Sequence, residues 1–275
     1  MRSRTTRRHV LSLSVIVAAG ATVAQDDCLS TGTQLFAEKN YKQAVMTLRK
    51  CDDTPKAQRL LGLAYFELNY MEDAKTYLRK AIEADPDNIS LKIKYADAFA
   101  HNREFRKGVK EFKKLAEAHP DNLEVKKGLA RVLGWNREYE EAIAIYRTIL
   151  EKDPEDYESW IQIATLTSWD KRFREAVEEY QAILAAEPTE KQETEARTRL
   201  GEVLSWMKKF DRAIAAYDKA IALDPQASKA YLGKGQVLEW QGKYKKAIEV
   251  YEQALQAEPG NKEAKGRLQQ LMWVK

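Results

Sequence analysis

The sequence predicts an all-α chain, an α-solenoid of about seven helix-turn-helix units followed by a C-terminal capping helix. Three observations lead there. Prolines stand at 55, 86, 120, 154, 188, 225 and 259, and from Pro86 onward the intervals are 34, 34, 34, 37 and 34 residues. Between these stops the apolar residues recur at helical spacing, split by a short polar turn such as Asn136-Arg137-Glu138 or Gln241-Gly242-Lys243. With 44% hydrophobic and 32% charged residues but only twelve Gly and seven Pro in 275, the chain has enough apolar surface to fold and too little glycine for a fibrous or disordered one. A fixed period of this length marks stacked repeats, for which a domain count based on length does not hold.

Residues 1–24, MRSRTTRRHVLSLSVIVAAGATVA, precede the periodic region and have the layout of a secretory signal peptide: Arg2, Arg4, Arg7 and Arg8, an apolar stretch from Val10, then small residues. Cleavage after Ala21 or after Ala24 satisfies the small-x-small rule, and Ala24 is preferred because Asp26 and Asp27 follow. The stretch from Val10 to Ala24 falls short of the roughly 20 apolar residues that span a bilayer, which argues against an uncleaved anchor. Thr6-Arg7-Arg8-His9-Val10-Leu11 also resembles the twin-arginine signal; ordinary secretion is the simpler expectation, and both routes stay open. Export places the mature chain in the bacterial periplasm or outside the cell. The four arginines of this segment are the whole of the formal +4 charge, so the remainder is formally neutral. Nucleic acid is therefore not an expected partner, since the release of counterions needs a basic surface. No membrane span is expected after cleavage.

The repeats occupy 25–261, with units starting near 25, 55, 89, 123, 157, 194 and 228; three extra residues around Glu190–Gln192 account for the interval of 37. Phrases such as Asp85-Pro86-Asp87-Asn88 and His119-Pro120-Asp121-Asn122 end one helix, because proline cannot continue it, and offer Asn or Asp to cap the next. Small residues recur at Gly62, Ala74, Ala164, Ala176, Gly201, Ala213, Gly235 and Ala247, where paired helices must approach closely. The unit from Ile89 departs most, with Gly108 at the tight contact and Leu115 where Ala is usual. In residues 262–275, Ala264, Leu268, Leu271 and Met272 share one helical face and form the terminal cover, to which Trp273 is also assigned.

These residues resemble the tetratricopeptide repeat, a 34-residue pattern of an aromatic near the start, Leu-Gly, an aromatic, then Ala with an aromatic four later, and Pro. Leu61-Gly62, Tyr65, Ala74, Leu78, Ala81 and Pro86 follow it in one unit, and Tyr231, Gly235, Tyr244, Ala247, Tyr251, Ala254 and Pro259 in another. The resemblance implies a protein-binding scaffold that works through a concave groove.

Cys28 lies near the start of the first helix of the first unit and Cys51 near the end of its second, and in an antiparallel hairpin those ends meet. A disulfide is the simplest reading for an exported chain with just two cysteines, and a redox-active pair, which lacks CxxC spacing, is the alternative. Trp135, Trp169, Trp206 and Trp240 each stand thirteenth in their unit. In the fold this chain resembles, that position faces the concave side, so the four form an aromatic ladder along the groove or else pack as a repeated core residue. By the same counting the groove receives Lys127, Arg131, Glu158, Thr165, Glu195, Glu202, Lys229 and Gln236. Arg131 stands where an asparagine is expected in the clamp that chaperone-binding members of the family use for a terminal carboxylate, which disfavours that role. The phrase Leu-Ser-Trp, turn, aromatic, Ala also resembles periplasmic repeat segments of bacterial exopolysaccharide-export and related outer-membrane proteins.

The sequence carries no phosphate loop, HExxH or nucleophile elbow, and three His with two Cys do not make a usual zinc site. The expectation is a nonenzyme without metal or cofactor. It binds a protein or extended peptide through Trp135, Trp169, Trp206, Trp240, Lys127 and Arg131, with a polysaccharide as the alternative ligand.

Overall fold

The computed structural model describes residues 27–271; the expected signal segment 1–24, and Met272 and Trp273 of the terminal cover, lie outside that range. The described residues are helical and without strands. Helices α1 (27–37) and α2 (Tyr41–Leu48, continued by a 3-10 turn Arg49–Cys51) form the first hairpin. They are followed by α3 (Pro55–Glu67) with α4 (Met71–Ala84), α5 (Ile89–His101) with α6 (Phe105–Ala118), and α7 (Leu123–Trp135) with α8 (Tyr139–Lys152). Next come α9 (Tyr157–Trp169) with α10 (Phe173–Ala185), α11 (Glu190–Trp206) with α12 (Phe210–Leu223), α13 (Ser228–Trp240) with α14 (Tyr244–Ala257), and finally α15 (Lys262–Leu271). Two compact units divide the chain after Asn136.

Every hairpin turns in the same way. The first helix of each pair is stopped by one residue with positive φ: Lys39, Asn69, Arg103, Arg137, Lys171, Lys208 and Gly242, all between 57° and 71°. That geometry lets the next two N–H groups close the helix end. Asn69 N donates to the Phe66 carbonyl at 3.0 Å and Tyr70 N to the Tyr65 carbonyl at 2.9 Å, and Lys208 and Lys209 repeat the pair on Ser205 and Leu204. Six of the seven positions carry a side chain, and at Lys39, Asn69, Arg103, Lys171 and Lys208 these bonds hold it against its backbone preference.

The second helix of a pair ends before proline, and most of the following helices open on a side-chain cap, α13 with Ala227 at that position being the exception. The side-chain oxygens of Asn88, Asn122 and Asn261 accept from the N–H groups of Leu91, Val125 and Ala264 at 3.0–3.2 Å, each cap contributing about 1 kcal/mol. Pro55 is accommodated in the first turn of α3 behind its Thr54 cap. Ahead of α11, the Gln192 side chain accepts from the Thr189 N–H at 2.9 Å. The three extra residues thus join the helix as an added turn, and α11 has 17 residues where α9 and α13 have 13.

In four hairpins a large residue of the second helix is set against a residue of the first helix that has no Cβ, at Gly32, Gly62, Gly201 and Gly235. A Cβ at Gly62 would come within 2.9 Å of Leu78 and one at Gly235 within 2.5 Å of the Tyr251 ring, while between successive hairpins one at Gly128 of α7 would come within 2.3 Å of the Phe112 ring of α6. Tyr217 is enclosed from two sides, by Gly201 of its own hairpin and by Gly233 of the next. Ala74, Ala142, Ala176, Ala213 and Ala247 are fully buried at one shared position of the second helices. Gly108 takes that position in α6, 3.2 Å by its missing Cβ from Val132 and 3.4 Å from the Ala100 backbone. In the first compact unit Glu104 ties α4 to the start of α6: hydrogen bonds from Lys107, Lys75 and Asn102 hold its carboxyl down at about 2.

Three buried or half-buried phenols have partnered hydroxyls. Tyr180 shares a 2.8 Å hydrogen bond with Thr165, Tyr251 donates to Glu239, and Tyr77 donates to Asp52 at 2.9 Å. Cys28 and Cys51 are joined in a disulfide with Cα atoms 6.3 Å apart, fastening the start of α1 to the turn that ends the first hairpin. With 23 residues of separation, the chain-entropy model gives this link about 3 kcal/mol.

Gly233→Ala, whose Cβ would fall 2.4 Å from Tyr217 Cζ, is expected to lower stability by about 1–3 kcal/mol through overpacking, despite alanine's helix preference. Gly266→Ala in α15, with nothing within 4 Å, should raise it by about 1 kcal/mol; urea melts giving both variants the same shift would refute this packing. Burial, with the bond to Asp52, pushes Tyr77 up to about 12, and burial also raises Tyr180, Tyr217 and Tyr251 above the ordinary 10.0. These phenols stay neutral in the fold after the unfolded chain has begun to ionise, so stability is intact below pH 10 and falls as pH rises beyond it. Phenolate absorbance of the folded protein should lag behind that of the urea-unfolded chain, and coincident titrations would contradict the buried hydroxyls.

Candidate functional site: a tryptophan-lined groove

The residues singled out in the sequence fall in both compact units, Lys127, Arg131 and Trp135 in the first and Trp169, Trp206 and Trp240 in the second. In the first, Trp135 at the end of α7 meets the His101 ring edge-on at 5.6 Å and lies 6.4 Å from Phe105. Arg131, one turn earlier, rests 5.8 Å over the Trp135 ring and pairs through Nη2 with Asp97 Oδ1 at 2.6 Å. Both are therefore engaged inside the fold, as is Lys127. Asp97, the buried anion that holds Arg131, was not among the residues picked from the sequence.

In the second unit the same register position ends α9, α11 and α13, and Trp169, Trp206 and Trp240 line one cavity of about 350 Å3. They are 41%, 45% and 49% exposed. Trp206 leans on Phe173 at 6.0 Å and Trp240 on Phe210 at 6.1 Å, each Phe being the first residue of the preceding hairpin's second helix. These indoles are thus half-packed and half-open, a geometry between the groove ladder and the core residue that the sequence left as alternatives. The small residues before two of them are buried: Ser168 and Ser205 donate their hydroxyls to the Thr165 and Gly201 carbonyls, and Ser205 forms part of the cavity wall.

Polar groups complete the cavity. Lys229 and Gln236 of α13 and Glu202 of α11 line it, as the register count expects, together with Arg199 and Glu263. Glu195 lines a neighbouring recess. Thr165 does not face the groove; it is buried, donates to the Ile161 carbonyl at 2.7 Å and meets the Tyr180 hydroxyl. Arg199 pairs with Glu202 at 3.3 Å. Burial works against its charge, but Glu202 and Glu195 outweigh that and leave it above its ordinary value. Arg199 was missed in the sequence because it follows the groove-facing Glu195 by one turn and reads as an ordinary member of a charged helix. Among the described residues no group of three or more His, Cys, Asp or Glu is placed to hold a metal, and no helix is long and apolar enough to cross a membrane.

Models of the tetratricopeptide repeat match residues 55–88, 101–166, 135–200 and 207–262. The chain belongs to the tetratricopeptide-repeat family, whose arrays bind peptides and proteins and are typically not enzymes. A tetratricopeptide repeat protein from Parabacteroides merdae ATCC 43184 is similar in fold, with a TM-score of 0.73 at 15% identity over 90% of this chain and 99% of that one. MamA gives 0.47 at 24% identity over 60% of this chain and 94% of its own. YrrB, described as a TPR protein with an unusual peptide-binding site, gives 0.43 at 20% over 69% and 96%. No curated protein matches the chain.

Because Trp206 is close to half exposed, Trp206→Ala should cost about 1–2 kcal/mol, less than the 3–5 kcal/mol of a core aromatic. Thermal and urea melts of the variant check this, and collapse of the fold would put the indole in the core.

Proposed function

We propose that this protein is an exported scaffold, periplasmic or secreted, whose tryptophan groove binds an extended segment of a protein partner within an envelope or exopolysaccharide-export assembly. The observation that carries the proposal is the row of half-open indoles from three consecutive hairpins on one cavity. Aromatic groups repeated at a constant register suit a long ligand read by successive contacts rather than a compact metabolite, and half-desolvated Trp is the residue type most often found at binding hot spots. Export is supported by the arginine-then-apolar layout of residues 1–24 and by a disulfide, which persists in oxidising compartments.

A second reading, in which the groove binds a glycan directly, is favoured by one detail. Trp206 and Trp240 have one side on a phenylalanine and the rest of the ring open, the form of surface on which the C–H face of a sugar ring stacks.

The test is a Trp169→Ala, Trp206→Ala double variant used as bait beside the natural protein in affinity capture from an envelope fraction and on a glycan array. Each ring removed should weaken binding by about 1–3 kcal/mol while helicity is retained. A protein lost from the capture supports the first reading and a glycan signal lost from the array the second, whereas unchanged binding by a folded double variant removes the groove from both. Cell fractionation with N-terminal sequencing of the mature chain tests export.

A further inference from the structure

The added turn of α11 does more than lengthen a helix. It walls a second recess of about 750 Å3, between the first half of α11 and the start of α13, lined among others by Thr194, Thr198, Gln226 and Ser228. Arg199 and Lys229 line both this recess and the tryptophan cavity, so the two share a wall and a strand lying on the indoles has a continuation beside it.

The lining of the recess sets the chemistry of what enters. It has no aromatic residue, and Leu223 is its largest apolar side chain, so it offers no anchor for an apolar peptide side chain. Its charges are three carboxylates, Glu190, Glu195 and Asp224, against three cations, Lys191, Arg199 and Lys229. The tryptophan cavity is balanced likewise, Glu202 and Glu263 against Arg199 and Lys229. Neither chamber selects an ion by net charge, but both present donors and acceptors. Thr194 and Thr198 donate to the carbonyls of Glu190 and Thr194 at 2.8 Å, and Ser228 donates to Glu258 at 2.7 Å. Each hydroxyl proton is thereby committed and its lone pairs are left to accept. Hydroxyl groups, which both donate and accept, match such walls.

We propose that the recess beside α11 is a second subsite for an uncharged, hydroxyl-rich glycan strand that stacks on Trp206 and Trp240 and runs past Arg199 and Lys229 into the chamber. This rests on the glycan reading of the groove and adds to it the neutrality of the ligand, its minimum length and the role of the added turn.

The test follows quenching of the exposed indoles with neutral glucan oligomers, β-1,4, β-1,3 and α-1,4, from disaccharide to hexasaccharide, and with oligogalacturonates as the charged control, at low and high salt. Expected are tighter binding of at least one neutral hexasaccharide than of its disaccharide, by tenfold or more, and little change with salt, because no ion pair with the ligand is screened. Gln226→Trp, which fills the chamber from an exposed position outside the indole row, and deletion of Glu190–Gln192 should each erase the advantage of the longer oligomer while the disaccharide still binds; circular dichroism confirms the fold. Equal affinity for short and long oligomers, or no effect of filling the chamber in a folded variant, overturns the subsite and leaves the tryptophan groove standing. Preference for the galacturonates with strong salt dependence overturns the neutrality. Absence of quenching by every oligomer overturns the glycan reading itself and this proposal with it.

Discussion

The structure depends on one packing contact, a large side chain of a second helix pressed against bare backbone of a first helix. Tyr217 shows it most fully. Its ring is met by Gly201 within the hairpin and by Gly233 in the next one, so a single side chain sets both the separation of paired helices and the separation of successive pairs. Interiors are packed too densely to absorb an extra methyl group there, and the distances of 2.4–2.6 Å to the missing Cβ atoms leave no room for one. Where Leu48 and Leu78 replace the aromatic, Gly32 and Gly62 keep the same vacancy opposite them. A repeat array has only nearest-neighbour contacts, so a contact shared by neighbours couples them.

That contact also explains the half-open tryptophans. The hairpin brings the end of each first helix over the start of the second helix of the pair before it, and the aromatic residues Phe173 and Phe210 stand there to receive one side of Trp206 and Trp240. The rest of each ring is partly open to the cavity. Exposure of nearly half of each indole is thus a result of register. A side chain that is immobilised on one face and bare on the other loses little freedom on binding, which favours affinity.

The sequence made the fold readable because proline, the polar turn and the small residue recur at one interval, and each has a local physical meaning. Cys28 and Cys51 could be paired from the hairpin alone. The groove was readable only in part. Counting positions gave Lys229, Gln236 and Glu202, which line the tryptophan cavity, yet it also gave Thr165, which the structure buries against Tyr180. Register gives the direction of a side chain at its Cβ, but a short hydroxyl can turn back on its own helix, as Thr165 does on Ile161. The counting also could not see that Arg131 is tied to Asp97, since an ion pair between first helices 34 residues apart depends on how neighbouring hairpins are set.

The seven turns with positive φ have a bearing on how such a chain can change over generations. Six of the seven turns are closed by the same two backbone hydrogen bonds around a single left-handed residue, and adding or removing one residue there would break both. The junction after a second helix is less constrained, since it is held by a proline and a side-chain cap that a helix of any length can follow. Length variation is thereby channelled to one edge of the array, and the extra residues that open α11 sit at that edge. A repeat family built this way can acquire new recesses one turn at a time without touching the contacts that hold its helices together.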